Sequence, residues 1–101
     1  MSISVGKLLE FLEKEEDNNE IAYDFDYDLG PSARYIKSNN GDKVYFGFGR
    51  SFEIRRDNFI ASLRLFTDNT EVYLLHGHDA TIIKGITHRD NLIVLLTDEK
   101  L

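Results

Sequence analysis

The chain has 101 residues, 42% hydrophobic and 30% charged, with no cysteine and a net charge of −6. That is the size of one domain with one core, and the lack of cysteine excludes disulfides and thiolate metal sites and points to a reducing, cytoplasmic setting. The longest apolar run, Leu92 to Leu96, is far too short for a membrane span, and the early charges are unlike a secretory signal.

Val5, Leu8, Leu9 and Leu12 recur at i, i+3, i+4 and i+7 and predict an amphipathic helix, with Ser4 as its N-cap. Asp17-Asn18-Asn19 breaks that periodicity. Ile21, Tyr23, Phe25 and Tyr27 then alternate with Ala22, Asp24, Asp26 and Asp28, the pattern of a strand with one buried and one wet face. After a turn at Leu29-Gly30-Pro31-Ser32, a short strand is predicted over Ala33 to Lys37, and Asn40-Gly41 marks a hairpin. A long strand follows from Lys43 to Ile54. In it Val44, Phe46, Phe48, Phe52 and Ile54 share one parity, while Tyr45, Gly47, Gly49 and Ser51 share the other. Glycines on one face suggest a bulge, or close approach by a backbone or ring. A second helix starts at Asp57, its predicted cap, with Phe59, Ile60, Leu63 and Phe66 inward. Strands over Val72 to His76, Ala80 to Ile86 and Leu92 to Thr97 complete the chain, with a loop at Thr87 to Asn91.

A shift of 51 residues brings Leu8 onto Phe59, Leu12 onto Leu63, Asp17-Asn18 onto Asp68-Asn69 and Glu20-Ile21 onto Glu71-Val72. The expectation is a single α+β domain over residues 1–101, an internal repeat of residues 1–50 and 52–101, each half helix-strand-strand-strand. The two tandem units would form one antiparallel sheet of about six strands, with both helices on one face and each helix over its own ribbon.

Charge is unevenly distributed. Residues 1–30 carry nine carboxylates against two lysines, whereas residues 34–64 carry seven bases against three acids. On a strand, Asp24, Asp26 and Asp28 project from one face about 7 Å apart. With Glu13, Glu16 and Glu20 they form a candidate partner-binding surface, a ladder of negative charge able to imitate a nucleic-acid backbone in a basic groove. Asp24-x-Asp26-x-Asp28 also resembles the opening of an EF-hand loop, but Leu29 stands where that loop needs glycine and Tyr35 where it needs glutamate.

His76-Gly77-His78-Asp79 offers two histidines at i, i+2, and His88 or Asp79 as a further metal ligand. Leu74-Leu75-His76-Gly77-His78 resembles the histidine-glycine-histidine segment of calcineurin-like metallophosphoesterases, whose other metal-binding words are missing here. Lys43-Val44-Tyr45-Phe46-Gly47-Phe48-Gly49-Arg50 resembles the aromatic-glycine word of RNA-recognition-motif proteins. The element order differs from that family, the net charge opposes phosphate, and the aromatic parity reads as a core face. No nucleophile motif or complete phosphate loop is present, so catalysis finds little support and no cofactor is implied.

The opening Ser4-Val5-Gly6-Lys7-Leu8-Leu9, followed by Leu12 and Glu20-Ile21, resembles small accessory proteins of bacteriophages and prophages, over about 25 residues. That resemblance implies a small cytoplasmic protein of the host cell that acts by binding another protein. The leading expectation is therefore a non-enzymatic protein-binding module, inhibiting a nucleic-acid-binding host protein through its carboxylate-rich face, without direct nucleic-acid or membrane binding. The alternatives are a self-associating assembly protein, a homodimer through a strand edge such as Leu92 to Thr97, and a metal-binding protein or hydrolase at His76, His78 and Asp79.

Overall fold

The computed structural model describes residues 2–25, 28–29, 33–39, 43–48, 54–76 and 79–97. Its elements run α1 (Val5–Glu13), β1 (Glu20–Phe25), β2 (Asp28–Leu29), β3 (Ala33–Asn39), β4 (Lys43–Phe48), α2 (Arg56–Leu63), β5 (Glu71–His76), β6 (Asp79–Arg89) and β7 (Leu92–Thr97). The class is α+β, as the alternating periodicities require. Tyr27, Asn40-Gly41, Gly49, Phe52 and Gly77-His78, all used in the sequence reading, lie outside the described residues.

Helix α1 forms where its apolar stripe predicts. The Ser4 hydroxyl accepts the Lys7 amide at 3.2 Å, and Val5, Leu8 and Leu12 are fully buried. Helix α2 buries Phe59, Ile60 and Leu63 but starts one residue before Asp57. Asp57 does not cap it. Arg55 holds the N-cap position without a side-chain capping bond, and the Asp57 amide donates instead to Asn18 Oδ1 at 2.9 Å. A remote side chain thus satisfies one of the orphan amides of that first turn.

Both stripes meet one cluster on a single face of the sheet, with Ile21 and Tyr23 of β1, Val44 and Phe46 of β4, Val72 and Leu74 of β5, Ile83 of β6, and Ile93 and Leu95 of β7. Phe46 and Phe59 pack edge to face at 4.8 Å between ring centroids.

The sheet is not the expected six-stranded antiparallel meander. Among the described residues its strands are ordered β2-β1-β7-β6-β5-β4-β3, and two pairings, β1 with β7 and β4 with β5, are parallel. The crossover through α2 returns the chain in the direction of β4, which makes β5 parallel to it. β7 therefore lies inside the sheet, paired on both sides, and Leu92 to Thr97 is not an edge. The Leu92 end is reached by a tight turn rather than a long loop. β6 continues to Arg89, and Asp90 takes a φ of 53°, a left-handed conformation that Asp tolerates better than most residues.

Each helix also packs across the midline: α1 touches β6 and α2 touches β1, so neither covers only its own ribbon. The segments that lead into the helices are sewn the same way. The Val5 amide donates to Thr70 O and the Val72 amide to Ile3 O. The Arg56 amide donates to Asn19 O and the Ile21 amide to Ile54 O, at 2.8–2.9 Å in all four cases. These two sets interchange under a shift of 51 residues, as do the bridges Ser4 to Glu71 and Arg55 to Glu20. The strands that follow differ between the halves. β1 turns into the two-residue β2 and β3 lies at the far edge, whereas β5, β6 and β7 are neighbours in order. Ile54, expected at the end of a long strand after β4, belongs to this seam instead.

Ser2 completes the seam on the β5–β6 side. Its buried hydroxyl donates to Val72 O and accepts the Ile83 amide at 2.9 Å, while the Ile3 amide donates to Ile83 O at 3.0 Å. Gly6 allows a close approach nearby, because a Cβ there would lie 3.1 Å from Asp68 Cβ and 3.3 Å from Asp68 O.

Candidate functional site

The acidic stretch after α1 is anchored to α2 rather than left loose. Arg56 Nη1 donates to Glu15 O, Arg55 Nη1 to Asn18 O at 3.2 Å, and the Arg56 amide to Asn19 O at 2.9 Å. Arg56 Nη2 also pairs with Asp57 Oδ1 at 3.0 Å. Backbone carbonyls and arginines therefore fix the path of residues 15–19, and its side chains are presented from that frame.

The six carboxylates expected to form a docking face are placed unequally. Glu13 is exposed and paired with Arg64, its counterpart 51 residues on; both side chains are about half exposed, so screening leaves this ion pair little weight. Glu16 is exposed, as is its neighbour Asp17. Glu20 opens β1 and is partly buried. Asp24 is also partly buried, with Oδ1 enclosed and unpartnered among the described residues, while its carbonyl accepts from Thr97 Oγ1. Its neighbour Ala22, expected on the wet face, is 2% exposed. Asp28 holds β2 opposite Phe25, and Asp26 lies outside the described residues. The structure thus brings Glu13, Glu16 and Asp17 to one exposed corner and turns part of Asp24 away from solvent.

The histidines expected to share a metal are separated. His76 and Asp79 face each other in the β5–β6 hairpin, and His78 lies outside the described residues. His88 is nine residues beyond Asp79 along β6, roughly 30 Å at the ordinary strand rise. There its Nε2 lies 2.7 Å from Glu15 Oε1, an ion pair when the imidazole is protonated. Among the described residues no cluster of three or more His, Asp or Glu is arranged to hold a metal.

Sequence reasoning missed the part played by Arg56, Arg64, Glu15 and His88 around this corner. One signal was available: the 51-residue shift sets Glu13 against Arg64, opposite charges at matching helical positions. Shallow grooves flank that pair, one of about 380 Å³ beside Arg56 and Ile60 and one of about 550 Å³ beside Leu9 and Asp68. Compared with protein families, curated proteins and solved structures, the chain matches none.

Proposed function

We propose that this chain is a non-catalytic protein-binding module that engages a cationic partner through the acidic corner at the end of α1. The observation that carries the reading is the exposure of Glu13, Glu16 and Asp17 on a backbone pinned by Arg55 and Arg56. A pinned path costs little further ordering on association, and the exposed carboxylates of Glu16 and Asp17 steer a basic partner. Glu20, partly buried at the start of β1, follows this corner in the chain, and a nucleic-acid-binding protein with a basic groove is the partner this chemistry fits best. The same reading takes residues 1–50 and 52–101 as two copies of one unit; the interchangeable seam bonds support it.

The test is a charge reversal that leaves the seam untouched. A Glu16→Lys, Asp17→Lys variant with an unchanged melting curve should lose salt-sensitive capture of its partner from a host extract and slow association with the isolated partner. Retention of the same partner at the same rate by the double variant refutes the acidic corner as the contact.

A further inference from the structure

We draw no further inference here: the strongest candidate, the outer edge of β3 (Ala33–Asn39), which ends the sheet among the described residues, carries none because nothing in the structure shows what covers it.

Discussion

Replacing Ser2 by alanine removes one oxygen from the place where three segments meet. That hydroxyl donates to Val72 O and accepts from the Ile83 amide at 2.9 Å, in a residue 9% exposed. Without it, an amide and a carbonyl on two adjacent strands lose their partner in a buried position. Each buried group left unsatisfied costs about 1–3 kcal/mol, and partial entry of water offsets some of that. A net loss of about 2 kcal/mol is expected. For a domain of this length, with unfolding entropy of about 2.1 cal/mol/K per residue, the melting temperature should fall by about 9 °C. Thermal melts by circular dichroism, with urea titrations to verify an unchanged m value, measure it. Amide exchange adds a local readout, because Ile83 N–H should lose protection in the variant before the amides of β7 do. Ser4→Ala is the internal control. Its hydroxyl caps α1 from a partly exposed position, so about 1 kcal/mol is expected. A Ser2→Ala melting point within about 2 °C of the parent would show that the hydroxyl does not bridge the strands, and the seam argument would fall with it.

Leu12→Ala should cost about 3 kcal/mol, since the side chain is fully buried between the helices and the sheet, whereas Leu65→Ala, at 80% exposure, should stay within about 0.5 kcal/mol; urea midpoints of the two compare them directly. Equal losses would mean that the apolar stripe of α1 is not seated as described. Gly6→Ala should destabilise by about 1 kcal/mol, because the new methyl meets Asp68 backbone and Cβ and outweighs the gain in helix propensity. Adding Asp68→Gly should recover part of that loss in a double-mutant cycle, and a stabilised Gly6→Ala single variant would refute the close approach.

How far the candidate site was legible follows from the range of the interactions that build it. Ser4 as a cap and the α1 stripe depend on neighbours within one or two helical turns, so spacing alone predicted them. The carboxylates of residues 13–28 were visible as charge, but which of them face water was not. Asp24 alternates correctly on β1 and yet has an enclosed oxygen, because alternation assigns a face and says nothing about what covers it. His88 was grouped with His76 by residue type, whereas the length of β6 carries it to the opposite end, beside Glu15. Tyr45 shows the same limit: it read as the lesser parity of a core strand until β5 placed Tyr73 beside it, the ring centroids 5.3 Å apart.

By itself the sequence determined the α+β class, both helices, most strand positions and the uneven charge, because helical and strand periodicities are local consequences of side-chain spacing on a backbone of fixed geometry. Only the tertiary structure decided the order and direction of the strands. The parallel pairings of β1 with β7 and β4 with β5 join residues more than 25 positions apart, and no local preference distinguishes them from the antiparallel meander that the same strands would allow. What selects them is the burial of two helical stripes in one cluster and the satisfaction of seam amides by carbonyls from the other half of the chain, terms that exist only once the whole polypeptide has closed.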